Sequence, residues 1–204
     1  MRVTAETQAA TRERILRASD QLFAAQGFEA TTTRDIARSA EIGVGTLFNY
    51  FPTKEAILAS LASDAVAAAH QEFARRDREA DSLEEEVFAF VAAELRKLKP
   101  LRKHLPVVLE TVLSPLVAGA DDGQLFRVTH LEAVSRLSQK HGFKELSPVA
   151  MQMYWSLYTG LLLFWAQDKS PRQEDTLALL DHSLEMFAGW LNARPDGPTK
   201  NSET

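Results

Sequence analysis

Apolar residues recur along this chain at helical spacing, and no convincing stretch alternates in the manner of a strand. Ile15, Ser19, Leu22, Phe23 and Gln26 form a narrow first stripe that ends at Gly27. Thr32-Thr33-Arg34-Asp35 has the form of a capping box and opens a short helix through Ala40. Glu41-Ile42-Gly43 is a turn, and the next helix runs about Val44 to Tyr50, stopping before Pro52. Thr53 caps a long helix predicted to reach roughly Arg76, and Ser82-Leu83-Glu84-Glu85 is a second capping box. The helix it opens ends in Arg96, Lys97 and Lys99, cations suited to the negative end of the helix dipole. Arg75 to Arg78 and Arg96 to Lys103 are therefore read as solvated helix ends. Pro100, Pro106 and Pro115 break the chain into short pieces, and Ala118 to Gly123 reads as a loop before a helix from Gln124 to Lys140. Ser147-Pro148 and Ser170-Pro171 each predict a cap with proline in the first turn, starting helices that end near Asp168 and Ala193. Residues 194–204 are expected to be a loose tail.

The last two helices are apolar nearly all round. Met151, Tyr154, Trp155, Tyr158, Leu161, Leu162 and Trp165 make one face, while Met153, Leu157, Gly160 and Phe164 make another. In the final helix Leu177, Leu180, Leu184 and Phe187 share a stripe distinct from that of Leu179, Met186 and Trp190. A helix apolar on two sides must be covered on two sides. Either both helices are central in a monomer core, or a homodimer covers the second face with Met153, Leu157, Gly160, Phe164, Leu179, Met186 and Trp190; the dimer is favoured.

Composition changes the picture in three places. Length, at 204 residues, suffices for a core without staples, and the absence of cysteine removes disulfides and thiolate chemistry. The absence of cysteine also fits a cytoplasmic setting. The longest apolar stretch, Leu157 to Ala166, falls short of the ~20 residues a span needs, and Met1 to Glu6 lacks the apolar core of a signal peptide. Net charge is -5, which argues against a nucleic-acid partner until it is divided. Residues 1–55 carry seven bases and seven acids, so all the excess acid lies beyond them.

Two short helices joined by a three-residue turn and preceded by a supporting helix make a helix-turn-helix, whose second helix fits a major groove about 12 Å wide. The run Thr32 to Ala37, followed by Gly45-Thr46-Leu47-Phe48-Asn49-Tyr50-Phe51-Pro52-Thr53-Lys54-Glu55-Ala56-Ile57-Leu58, resembles the TetR family of one-component repressors across roughly Arg12 to Leu61. Phe23, Gly27 and Phe28 also fall where that family places an aromatic and a glycine turn. The resemblance implies an all-α chain: a three-helix DNA-binding domain at 1–55, a ligand-binding and dimerising body at 56–193, and the tail. It implies a homodimer on double-stranded operator DNA, released by a small molecule, without enzymatic activity or cofactor.

By that resemblance Ile36, Ala37, Ile42, Leu47 and Phe51 are core. Thr33 and Arg34 meet phosphate and groove edge, and Val44, Gly45, Thr46 and Asn49 face the bases. Phe48 occupies a contact position, and Tyr50 and Lys54 hold the DNA backbone. Asn49 offers adenine a donor and an acceptor, and the Thr46 methyl suits thymine. The chain departs from the pattern at Glu41, where glycine is usual, and at Gly43, which lacks a capping hydroxyl. Val44 replaces a basic or polar residue, and Phe48 replaces tyrosine.

For the body, Phe88, Val91, Leu105, Leu109, Phe126, His130, Tyr154, Trp155 and Tyr158 are expected to line a cavity for a largely apolar ligand. His70, His104, His130, His141 and His182 show no paired ligand spacing on one helix, so no metal is expected. Nucleophile-elbow, zinc-protease and phosphate-loop motifs are missing, which counts against a helical enzyme. A ligand-binding or scaffold dimer with weak or lost DNA binding is the remaining alternative.

Overall fold

The computed structural model describes residues 5–75, 80–113, 121–143 and 145–193. Their regular structure is helical: α1 (Ala5–Gln26), α2 (Thr33–Ser39), α3 (Val44–Tyr50), α4 (Lys54–Ala74), α5 (Leu83–Leu98), α6 (Leu105–Leu113), α7 (Asp121–Lys140), α8 (Pro148–Gln167) and α9 (Glu174–Asn192). Short 3₁₀ turns at Lys99–His104 and Pro171–Gln173 lead into α6 and α9. The expected tail, part of the basic run after Arg75, and Ala118 to Ala120 lie outside the described residues.

Four helix starts follow their caps. The hydroxyls of Thr32, Thr53, Ser82 and Ser147 accept from the backbone N–H three residues on, satisfying donors that a first turn leaves without partners. Gly27, with φ 88°, ends α1, its N–H returning to the Phe23 carbonyl.

Two boundaries differ from expectation. α7 begins at Asp121, so Asp121 to Gly123 are helical instead of loop. α9 begins at Glu174, and Pro171–Gln173 form a tight turn in which Arg172 and Gln173 have positive φ. Asp168 decides this. One carboxylate oxygen accepts from the Ser170 N–H, while the other takes both the N–H and the hydroxyl of Thr176, inside α9. These bonds hold its carboxyl far below the usual carboxylate range.

α4 is the central strut. It packs on α1 at its beginning and on α5, α6 and α7 along its length, while α8 and α9 pair beside α5 and α6. Arg102, expected to be a solvated helix end, instead reaches across to α8. Its guanidinium donates to the carbonyls of Trp165 and Asp168 and lies over the Trp165 ring, so it caps another helix.

Candidate nucleic-acid interface and the body behind it

The corner between α2 and α3 is fixed from inside by Ile36, Ala37, Leu47 and Phe51, all at most 2% exposed, with Ile42 half-buried beside them. α2 ends in a closed hydrogen-bonded motif: the Glu41 N–H reaches the Arg38 carbonyl and the Ile42 N–H reaches Ala37. This closure requires a left-handed residue at position 41, and Glu41 adopts φ 55°. At the other end of α2, the Thr32 hydroxyl and backbone N–H bond the Asp35 carboxylate and hold it below its ordinary range.

With Leu47 turned inward, the opposite side of α3 faces out. Gly45, Thr46, Phe48 and Asn49 are exposed, and Phe48 exposes 47% of its surface. Val44 and Tyr50 are half-buried at its edges, Thr33 is half-buried and Arg34 is exposed at the start of α2. These residues therefore lie on two adjacent short helices. Gly43 caps α3 with extended backbone and no side-chain bond.

Lys54 is occupied within the protein. Its ammonium donates to the carbonyls of Phe28 (2.6 Å) and Thr31 (3.1 Å) and lies 4.1 Å from the centre of the Phe28 ring. It thus clamps the α1–α2 loop to the start of α4, a use that the resemblance to a phosphate-binding lysine did not reveal. Phe28 also meets the His104 ring at 5.7 Å, and the Phe23 ring packs against both at a tilt, so the rear of the N-terminal helices rests on the 3₁₀ turn before α6. Burial and the neighbouring Lys103 charge push the His104 imidazole below its ordinary pKa.

In the body, Val91, Leu105, Leu109, Phe126, His130, Tyr154, Trp155 and Tyr158 are all buried and packed together. The space expected among them is closed: crevices beside Tyr154 hold about 10 Å³ each, the lower limit for one water. Phe88 stands apart, half-buried on a groove of about 690 Å³ whose apolar floor includes Phe73, Ala89 and Ala92 and whose rim carries Arg96, Asp181 and Glu185. A second groove of about 270 Å³ runs between α4, α5 and α7, with His70, Phe73 and Phe90 on its floor and Arg136 and Lys140 at its edge.

Sequence spacing missed the polar centre of this body. Glu94 on α5 is fully buried, and one of its oxygens meets His70 Nε2 of α4 at 2.6 Å and His130 Nδ1 of α7 at 2.8 Å. His130 Nε2 faces the Tyr154 hydroxyl at 3.0 Å, and its ring stacks on Tyr158 at 3.8 Å. Burial alone would raise the Glu94 pKa, but the charge of His130 and the hydrogen bonds from both histidines hold it below its ordinary value. Burial and the same carboxylate push the hydroxyls of Tyr154 and Tyr158 well above the usual phenol range. Residue type is the only trace of this centre in the sequence, because its three members sit on different helices, 24 and 36 positions from Glu94.

The second apolar face of the last helices is uncovered in the single chain. Met153, Phe164, Leu179 and Met186 are exposed, Met186 by 65%, and Leu157 and Trp190 are half-buried. Gly160 is exposed among them, with open space where a Cβ would stand. No described helix is long and apolar enough to cross a membrane.

Comparison with known proteins agrees with this geometry. Residues 15–61 match the family described as bacterial regulatory proteins, tetR family. Over 76 residues the chain is 38% identical to the HTH-type transcriptional repressor KstR of Mycobacterium tuberculosis, covering 37% of this chain and 31% of that protein. Over 51 residues it is 37% identical to the HTH-type transcriptional regulator UidR of Escherichia coli K12, covering 25% of this chain and 26% of that one. The matches thus span about a third or less of these relatives' own length. Whole-chain likeness comes from solved structures. Thermus thermophilus FadR, a TetR-family repressor in complex with lauroyl-CoA, superposes with TM-score 0.67 at 25% identity, covering 92% of this chain and 98% of that one. A TetR transcriptional regulator from Rhodococcus sp. RHA1 gives TM-score 0.73 at 16% identity, covering 88% and 96%. Residues 15–61 thus match the tetR family of bacterial regulatory proteins, and the chain as a whole shares the fold of the solved TetR regulators.

Proposed function

We propose that this protein is a cytoplasmic, homodimeric transcriptional repressor that binds operator DNA through α2 and α3 and is released by a small, largely apolar ligand held in its body. One observation carries the reading: α3 is locked by Leu47 against Ile36 and presents Gly45, Thr46, Phe48 and Asn49 outward, as a major-groove helix requires. Thr33, Arg34, Val44 and Tyr50 complete the DNA face. Asn49 and Thr46 supply base contacts, and Arg34 supplies charge toward phosphate. Without an excess of basic residues in 1–55, affinity rests on dimer geometry and a few placed contacts.

The uncovered face of α8 and α9 supports the dimer, with Met153, Leu157, Gly160, Phe164, Leu179, Met186 and Trp190 packing against a second copy. The recognition helices of the two copies must stand about 34–36 Å apart to enter successive major grooves. Ligand changes that spacing through α4, which starts at the corner and runs through the body. The closed core around Tyr154 and Trp155 is the DNA-binding arrangement, and ligand opens it; the lauroyl-CoA of the Thermus protein supports a body of this fold taking up an apolar chain. Reciprocity requires that operator DNA weaken ligand binding by the same factor.

A mobility-shift titration with the DNA flanking its own gene tests the reading. Retarded complexes that weaken as salt rises are expected; no binding at low salt would leave a ligand-binding dimer without DNA function.

A further inference from the structure

The body holds an arrangement that neither DNA reading nor apolar ligand uptake employs. Glu94, His70 and His130 come from three different helices, and their donor atoms all lie within 4.8 Å of one another. Glu94 and His130 are fully buried, and His70 is nearly so, with 13% of its side chain exposed. Both histidines converge on a single carboxylate oxygen, Oε1. The other, Oε2, is buried without a hydrogen-bond partner, and the buried Tyr158 hydroxyl lies beside the same carboxylate without completing a bond of normal geometry. An unpartnered carboxylate oxygen in a dry interior costs several times what an ordinary hydrogen bond returns. A purely structural triad leaves that cost standing; a cation between the three side chains removes it when the carboxylate binds through both oxygens.

We propose that His70 Nε2, His130 Nδ1 and the Glu94 carboxylate bind one divalent transition cation of the zinc class. Two imidazoles and one carboxylate suit zinc, cobalt or nickel and disfavour magnesium and calcium, which take oxygen ligands. The geometry needs little adjustment. Zinc–nitrogen bonds of ~2.0–2.1 Å in a tetrahedral site place ligand atoms roughly 3.3 Å apart, so the present 2.6 and 2.8 Å pairs part by less than an ångström. His130 is already oriented for the task. With Nδ1 on the metal, its Nε2–H donates to the Tyr154 hydroxyl, the outer partner that a ligating histidine ordinarily has. His70 also lines the groove between α4, α5 and α7, which gives the ion an entry path and leaves the fourth position facing that groove. Occupancy would tie α4 to α5 and α7, stiffening the helix that begins at the DNA-binding corner.

The test needs no DNA, so it stands or falls apart from the repressor reading. The full chain is stripped with EDTA, dialysed and titrated with cobalt(II) and with zinc(II), each alone. One cobalt per chain is expected, with the visible d–d absorption of a low-coordinate site that zinc then bleaches. At a hundredfold excess over Kd, the melting temperature should rise by about 5–10 °C. Glu94→Gln and His70→Ala should each remove the cobalt spectrum and the thermal shift. Because Glu94 is deep in the core, its variant must first show wild-type helicity by circular dichroism. If it does not fold, His70→Ala, at the margin of the cluster, decides alone. Failure of the wild-type chain to take up stoichiometric metal, or uptake unchanged in folded His70→Ala, overturns the site.

Discussion

The α2–α3 corner and the body from α4 onward satisfy their polar groups over different distances along the chain. In the corner the partners are neighbours: Thr32 with Asp35, Glu41 with Arg38, Ile42 with Ala37. In the body they are remote. Glu94 meets residues 24 and 36 positions away, and Glu86 meets Lys140 and His141 at 54 and 55. The corner is thus specified by short words in the sequence, and its outward side is free to carry contacts. The body spends its polar residues on joining helices. A substitution in the corner should change DNA binding through one local motif, whereas one in the body should move several helices together.

The largest expected effect breaks the comparison at its apolar centre. Leu47 is fully buried beneath α3, and Leu47→Ala should cost about 2–5 kcal/mol, the range for emptying a well-packed aliphatic site. Operator binding should disappear in a mobility-shift assay. The body's own contacts are untouched, so size-exclusion chromatography should still show a dimer. Loss of the dimer together with DNA binding would mean that corner and body fold as one unit.

Next comes Lys54, the exception to the corner's locality, since its two carbonyl partners lie 26 and 23 residues back. Lys54→Met keeps the stem near Phe28 and removes both bonds, an expected loss of about 1.5–3 kcal/mol. Arg34→Ala, by contrast, should leave the melting temperature unmoved and flatten the salt dependence of DNA binding by about 0.9 in log–log slope, the share of one phosphate. A flattened slope with unchanged stability in Lys54→Met would restore the lysine to the DNA backbone.

The body's outer face gives a third, smaller effect. Phe164 is 44% exposed in the single chain, so Phe164→Asp costs the protomer little. In a dimer it places a carboxylate against an apolar partner and should weaken association at least tenfold, about 1.4 kcal/mol, by analytical ultracentrifugation. Unchanged dimer affinity would move the interface off this face of α8.

Legibility followed the same division. Thr32, Thr53, Ser82 and Ser147 each announce a helix start because the cap bonds its own N3 position. Ser170-Pro171 reads the same way in sequence, yet Asp168 reaches across to Thr176 and moves the start to Glu174, a contest between two local caps that spacing does not settle. The exposed residues of α3 follow from a single period of helix once Leu47 points inward. The Glu94 cluster does not: His70, Glu94 and His130 share no helix, and each alone resembles an ordinary polar residue on an amphipathic segment. The body's aromatic residues were legible as apolar, but whether they enclose space or fill it depends on how helices pack, and here they fill it.

The smallest effect lies at Glu41 and sharpens the comparison most, because it separates backbone from charge at one position. The closing motif of α2 needs a left-handed residue there, and any side chain with a Cβ is strained at φ 55° by about 1–2 kcal/mol. Glu41→Gly removes that strain but gives the unfolded chain more freedom, which returns roughly 0.5–1 kcal/mol. The net gain should be about 0.5–1 kcal/mol, or ~1–4 °C in melting temperature for a chain of this size. The same change deletes an exposed carboxylate just before α3, so DNA affinity should rise at low salt and the advantage should fade as salt is added. Glu41→Gln divides the two causes. It keeps the Cβ and removes the charge, so it should reproduce the gain in DNA affinity without the gain in stability. Equal melting temperatures for the Gly and Gln variants, both above the parent, would place the cost at Glu41 in electrostatics and not in the backbone.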